Sequence, residues 1–214
     1  MNAILAPENN PDIPHLLDDI ANNGFAIVDN FLPEDIITGL AAEARQMQDT
    51  ATLRPAGIGK NSDTQVNHDI RGDCIQWLTA NSASPAQRIY SQQMENLRLS
   101  FNRHLYLSLF EMENHFSIYP VGAFYRKHLD QFHTSRQRQI SCVLYLNHDW
   151  QLEHGGQLRL YLDGESALPY YDIEPVAGRL VLFLSDRFRH EVLPATRERI
   201  SIAGWFKTRP DQPI

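Results

Sequence analysis

Apolar residues recur at helical spacing through the first half of the chain and at strand spacing through the second. Ile13, Leu16, Leu17 and Ile20 fall on one helical face, which predicts a short helix over 12–23. Residues 25–31, Phe-Ala-Ile-Val-Asp-Asn-Phe, read as a strand. Pro33 stands near the start of a second predicted helix, 33–48, with Ile36, Ile37, Leu40 and Ala44 on one face. Residues 49–68 are polar and follow neither period, as expected of a loop or a mobile hairpin. A long helix is expected from Ser84, with Pro85 at its first position, to about Asn114. Its buried face would carry Tyr90, Met94, Leu97, Phe101, Leu105 and Leu109.

Beyond Phe116 short apolar runs alternate with turn signals, at 116–119, 122–130, 139–147, 156–162, 179–184 and 199–206. Many short strands at close spacing predict a sandwich or jelly roll rather than βαβ units. The expected class is therefore α+β, in a single domain over 1–214. Residues 1–115 would give helical support and a substrate loop, and 116–208 the jelly-roll core, packed as one unit. A chain of 214 residues suits such a domain and can bury a core without disulfides or structural metal.

Composition narrows the partners. The net charge is −7 with no basic tract, which gives no reason to expect nucleic acid. Cys74 and Cys142 are too few for a disulfide framework and form no CxxC pair, so a reducing, cytoplasmic setting is expected. Met1 to Asn10 lacks a signal-peptide pattern and no apolar run reaches membrane-span length, so no membrane partner is expected.

The chemistry starts at His128-Leu129-Asp130, the one His-x-Asp in the sequence. Residues i and i+2 of a strand share a face, so both side chains could reach one metal. Two imidazoles and one carboxylate leave three coordination positions open, the arrangement of non-haem Fe(II) oxygenases. His190, just after the apolar run 180–184, is the preferred third ligand, while His115, His133 and His154 stay open on composition alone. His148-Asp149 suits a metal poorly, because adjacent strand residues face opposite ways. Any single histidine is more often a surface or core residue than a ligand. The weight lies in spacing, barrel context and an arginine agreeing.

That arginine lies in the last strand, where Arg199, Ser201, Ala203 and Trp205 alternate with Ile200, Ile202, Gly204 and Phe206. A guanidinium pointing into a barrel costs free energy unless a carboxylate meets it, and its planar fork suits bidentate carboxylate recognition. Parity alone does not separate Arg199 from Arg197.

From about Asp69 to Phe206 the chain resembles the prolyl hydroxylases of the oxygen-sensing type and their bacterial relatives. The matching stretches include Arg71-Gly72-Asp73 with Trp77, Tyr119-Pro120, His128-Leu129-Asp130, Tyr145-Leu146-Asn147 with Asp149-Trp150, and Gly155-Gly156. They continue through Asp172-Ile173-Glu174-Pro175, Ser185-Asp186-Arg187, and His190-Glu191-Val192-Leu193-Pro194-Ala195, to Arg199 and Trp205.

The resemblance implies a double-stranded β-helix with supporting N-terminal helices. It implies Fe(II) at His128, Asp130 and His190, with O2 and 2-oxoglutarate as co-substrates and ascorbate as an auxiliary reductant. It favours Arg199 over Arg197 for the distal carboxylate of 2-oxoglutarate, with Tyr145 and Tyr119 as its hydroxyl partners. Arg138 and Trp205 resemble positions lining the pocket of the target proline. Arg71 and Asp73 resemble the base of a loop closing over a peptide, which suits 49–68. For bacterial members it suggests elongation factor Tu as the protein substrate. Two departures stand out. The segment from Tyr119 to His128 is one residue shorter than in the animal enzymes. Ala203 replaces their threonine, removing a hydroxyl near the iron-bound water. The competing readings are an oxygenase acting on another peptide residue or a free amino acid, and a jelly-roll binding module without turnover.

Overall fold

The computed structural model describes residues 12–57, 65–79, 83–131, 135–163 and 168–210. Helix α1 (Asp12–Asn22) buries Ile13, Leu16, Leu17 and Ile20, the four positions its spacing marks. Gly24, with φ +82°, turns the chain into β1 (Phe25–Val28). A Cβ there would come within 3.0 Å of the Phe188 ring, so both the conformation and the space call for glycine. Helix α2 (Glu34–Asp49) buries Ile37, Leu40, Ala41 and Ala44.

Strands β2 (Arg54–Pro55) and β3 (Cys74–Trp77) follow, then α3 (Pro85–Leu105). Ser84 caps α3 by accepting from the Gln87 amide at 3.0 Å. Glu43 of α2 accepts from the Ser84 hydroxyl at 2.5 Å and the Gln87 side chain at 2.6 Å, so the cap also locks the two helices together.

Helix α3 ends at Leu105, short of the expected Asn114. Tyr106 adopts a left-handed conformation (φ 56°), and the Asn102 side chain bonds both the amide (2.7 Å) and the carbonyl (2.8 Å) of Leu109. These bonds take the chain out of the helix although Leu109 continues its apolar period. Strand β4 (Glu111–Tyr119) therefore starts before the change of texture at 116.

The remaining strands are β5 (Tyr125–His128), β6 (Arg138–Tyr145), β7 (Leu158–Tyr161), β8 (Tyr170–Ile173), β9 (Leu180–Leu184), β10 (His190–Val192) and β11 (Arg199–Lys207). They build a seven-stranded sheet, β1-β9-β6-β11-β4-β3-β2, and a four-stranded sheet, β5-β10-β7-β8, both antiparallel. The fold is a jelly roll with helices on one side. The first 115 residues supply β1, β2 and β3 of the large sheet as well as the helices, so 115 separates two textures but not two layers.

Strand alternation divides the large sheet into two faces. Phe116, Ile118, Ile140, Leu144, Leu182, Ile200, Ile202 and Phe206 pack against Leu40, Tyr90, Leu97 and Phe101 of the helices. Each such apolar side chain, once buried, contributes about 1.5–3 kcal/mol. The opposite face, with Tyr119, Tyr145, Val181 and Phe183, packs against Leu158, Leu160, Ile173 and Val192 of the small sheet. Ser117, Ser141, Arg199 and Ser201 share this inner face, so the polar positions of β4, β6 and β11 all converge between the sheets. No helix among the described residues is long and apolar enough to cross a membrane.

Candidate metal centre and co-substrate pocket

His128 ends β5, and His190, opening β10, lies directly opposite it across the strand pair. Asp130 sits just beyond β5, between the two. Its Oδ1 is 3.5 Å from His128 Nε2 and its Oδ2 is 3.6 Å from His190 Nε2. One ligand atom from each residue falls within 4.8 Å of the others, and among the described residues this is the one such group.

Both imidazoles are oriented from behind. His128 Nδ1 lies 2.8 Å from the Arg126 carbonyl and His190 Nδ1 lies 3.1 Å from the Phe188 carbonyl. A carbonyl only accepts, so each Nδ1 carries a hydrogen and each Nε2 is the nitrogen turned toward Asp130. Tyr125 stacks on His128 at 3.7 Å and Phe183 meets His190 edge-on at 4.7 Å, which fixes the ring planes.

Protonation states agree with ligation. Burial, with the neighbouring His128, pushes His190 down to about 4. Burial alone would raise the Asp130 carboxyl, but the two imidazoles and the Ser141 hydroxyl, which donates to Oδ2 at 2.6 Å, hold it well below the ordinary range. At neutral pH His190 is a neutral imidazole and Asp130 an anion. This donor set fits Fe(II) with open positions.

Of the other histidines, His154 accepts from the Gln151 amide at 2.8 Å and packs on Trp150, and His148 lies 3.3 Å from the Thr38 hydroxyl. His115 faces the same cavity but stays outside the ligand group. His133 lies outside the described residues.

Arg199, 2% exposed, is the largest fully buried side chain among the described residues. Its Nε donates to the Gly156 carbonyl at 2.9 Å, and its guanidinium carbon lies 5.1 Å from the Tyr119 ring centre and 4.9 Å from that of Tyr145. Among the described residues it has no carboxylate partner. The Tyr145 hydroxyl is buried without a hydrogen bond of ordinary geometry. Burial raises both phenols above their ordinary value, so each remains a hydroxyl able to donate. A buried guanidinium beside such hydroxyls suits a carboxylate brought by a ligand. Gly156, with φ +70°, allows the close approach: a Cβ there would lie 3.3 Å from Arg199 Cδ. Arg197, by contrast, donates to the Asp149 carbonyl at 3.0 Å at the surface and stacks on Trp150.

The triad and Arg199 open on a cavity of about 370 Å³ that is also lined by Tyr119, Tyr125, Trp77, His115, Arg138 and Trp205. Tyr145 sits just behind this wall. Arg138 lies 3.4 Å over the Trp205 ring and donates to the Asp130 carbonyl at 3.3 Å. Arg71 lines the cavity, stacked on Tyr125 at 4.7 Å, but Asp73 does not. The Asp73 carboxylate is taken up by Arg71, at 2.5 and 2.9 Å, and by the Ser117 hydroxyl at 2.7 Å. Asp73 therefore acts on the cavity through the arginine it fixes.

Tyr125 and Ser141 are additions to the residues expected from sequence. Strand parity would put Tyr125 opposite to His128. The pairs His190 with His128 and Val192 with Tyr125 set three residues of β10 against four of β5, and this bulge brings both rings to one face. Ser141 carried a usable signal, since it shares alternation with Tyr145 on β6.

Comparison with known proteins agrees with this geometry. Residues 114–207 match the model of the 2OG-Fe(II) oxygenase superfamily. Prolyl hydroxylase EGLN3 of Homo sapiens is 31% identical over 190 residues, covering 86% of this chain and 78% of that protein. The hypoxia-inducible factor prolyl hydroxylase of Caenorhabditis elegans is 29% identical over 208 residues, and there the chain spans only 28% of its relative's length. The crystal structure of a Pseudomonas putida prolyl-4-hydroxylase superposes with a TM-score of 0.84 at 45% identity, covering 92% of this chain and 100% of that one. A Trichoplax adhaerens prolyl hydroxylase in complex with a hypoxia inducible factor peptide fragment gives 0.80 at 27% identity, over 91% and 88%. Fold, donor set and relatives converge: the chain belongs to the prolyl hydroxylase family of Fe(II)- and 2-oxoglutarate-dependent oxygenases.

Proposed function

We propose that this chain hydroxylates C4 of a prolyl residue in a protein substrate, consuming 2-oxoglutarate and O2 and releasing succinate and carbon dioxide. One observation carries the reading. The His–Asp–His triad and a buried guanidinium open on one cavity, which Trp77, Trp205 and Arg138 also line. Bound iron supplies the oxygen activation, one oxygen atom passing to succinate and the other to the prolyl carbon.

The chain's own residues bind and orient. His128, Asp130 and His190 would hold the ion, a three-residue donor set that would leave positions for co-substrate and oxygen. Arg199 receives the distal carboxylate, with the Tyr145 and Tyr119 hydroxyls as further donors. Trp205 offers a flat apolar wall for the proline ring, and Arg138 is stacked against it. The Arg71–Asp73 pair fixes the wall nearest to β2 and β3. Ascorbate serves as an auxiliary reductant of the iron. Strands from both halves of the chain build one sheet, which supports reading the chain as a single oxygenase domain, while two free cysteines suit a reducing, cytoplasmic setting. Elongation factor Tu is the first candidate substrate, on the resemblance to bacterial family members.

The segment leading to Arg71 distinguishes peptide from small-molecule chemistry. Of the expected loop 49–68, β2 pairs with β3 as a two-residue edge strand and Gly57 lines the cavity, while 58–64 lie outside the described residues. Deleting 52–64 is expected to abolish peptide hydroxylation and to leave iron and 2-oxoglutarate binding intact, since those residues lie in other strands. Free proline is expected to turn over poorly beside a prolyl peptide. Equal turnover of free proline, or full peptide activity without the segment, would shift the assignment to an oxygenase acting on another peptide residue or a free amino acid.

A further inference from the structure

His115 is the third histidine of the cavity, and neither the metal nor the co-substrate role uses it. It stands on β4 between Trp77 of β3 and Ala203 of β11, each directly opposite it in the strand register. Its ring packs 4.9 Å from Trp77 and 5.7 Å from Trp205. Only 2% of the residue is exposed, yet neither ring nitrogen has a hydrogen-bond partner. Trp205 Nε1, on the same wall, is buried and unpartnered as well. The opposing Ala203 side chain is a single methyl, so it competes for neither group. Buried polar atoms are nearly always bonded, and two such groups on one cavity wall mark where a polar ligand atom comes to rest.

The chemistry of both groups specifies that atom. An indole N–H can only donate. Burial, together with the nearby Arg71 charge, pushes the His115 imidazole down to about 3, so at neutral pH it is neutral with one N–H donor. A prolyl residue has no amide hydrogen, so the peptide at the target offers carbonyl acceptors only. Two unpaired donors facing a unit that presents only acceptors are complementary. Trp77, half-exposed at the cavity edge, places this wall on the side from which a peptide enters.

We propose that His115 is a substrate-binding residue: its imidazole N–H, next to the Trp205 indole N–H, donates to a backbone carbonyl flanking the target proline. This rests on the prolyl-peptide reading above.

The test uses the full chain and a prolyl peptide that the wild-type protein hydroxylates. His115→Phe keeps the ring between the two tryptophans and removes both nitrogens, and His115→Gln restores a donor. With phenylalanine the peptide KM is expected to rise roughly three- to tenfold, the worth of one uncharged hydrogen bond, while the 2-oxoglutarate KM and iron content stay within about twofold. Succinate should then form in excess of hydroxylated peptide, because a loosely held target misses the oxidant, and glutamine should recover most of both effects. Wild-type peptide KM and coupling in the phenylalanine variant would overturn the assignment. A matching rise in the 2-oxoglutarate KM would overturn it too, placing His115 on the co-substrate instead. If the phenylalanine variant does not fold, His115→Leu is read by the same measures. Wild-type turnover is the control: its absence sinks the prolyl reading itself, whereas its presence with an unaffected variant sinks only the role of His115.

Discussion

Replacing Asp130 with alanine is expected to abolish turnover and to strip the protein of iron. Asp130 is the one anion of the ligand group and lies within 3.6 Å of both histidine Nε2 atoms, so it completes a site beside two imidazoles whose ring centres are 4.2 Å apart. Without it two neutral ligands remain, and the Ser141 hydroxyl that orients the carboxylate loses its acceptor. Removing even an outer hydrogen-bond partner of a metal ligand costs roughly 10- to 100-fold in affinity or activity, so loss of the anionic ligand should exceed that. Iron content after dialysis and succinate formation give the readout. His154→Ala is a control that should keep its metal, because that ring is engaged with the Gln151 amide and Trp150. His133→Ala should also keep its metal. Near-normal activity of Asp130→Ala would rule the site out.

Arg199→Ala should raise the 2-oxoglutarate requirement by about 10²- to 10⁴-fold, because losing one partner of a buried charge pair costs about 3–5 kcal/mol. The effect should show as KM and as ligand-induced thermal stabilisation, which 2-oxoglutarate gives to the wild type and not to the variant. Stability without ligand should change far less, since among the described residues the guanidinium meets only the Gly156 carbonyl and two aromatic rings. Arg197→Ala, at the surface, should do little. Reversal of the two arginine effects would show that the wrong guanidinium has been placed in the pocket.

These sites were legible in the sequence to different depths, for physical reasons. Helices α1 and α2 declared themselves because one apolar stripe faces one core. The end of α3 did not, because Leu105 and Leu109 keep the period while the Asn102 side chain breaks the helix. Strands β8 and β10 escaped notice: the first is mostly exposed and the second has three residues, too few for a period to show. His128 and Asp130 are two residues apart and readable locally. Their union with His190 depends on a strand pairing that no local pattern encodes. Arg199 and Arg197 have the same parity, and only burial separates them. Tyr125 was hidden by the bulge in β5. Asp73, expected with Arg71 at the base of a loop closing over a peptide, bonds Arg71 and Ser117, a pairing that no local pattern in the sequence shows.

The central claim is tested most directly by incubating the iron-loaded chain with 2-oxoglutarate and O2, with and without prolyl peptides of elongation factor Tu, and measuring succinate and peptide mass together. Succinate should rise with peptide, matched by one added oxygen atom per succinate, located at the prolyl C4. Succinate formation unaffected by every prolyl peptide, with no peptide gaining oxygen, would contradict the assignment of this chain as a prolyl hydroxylase.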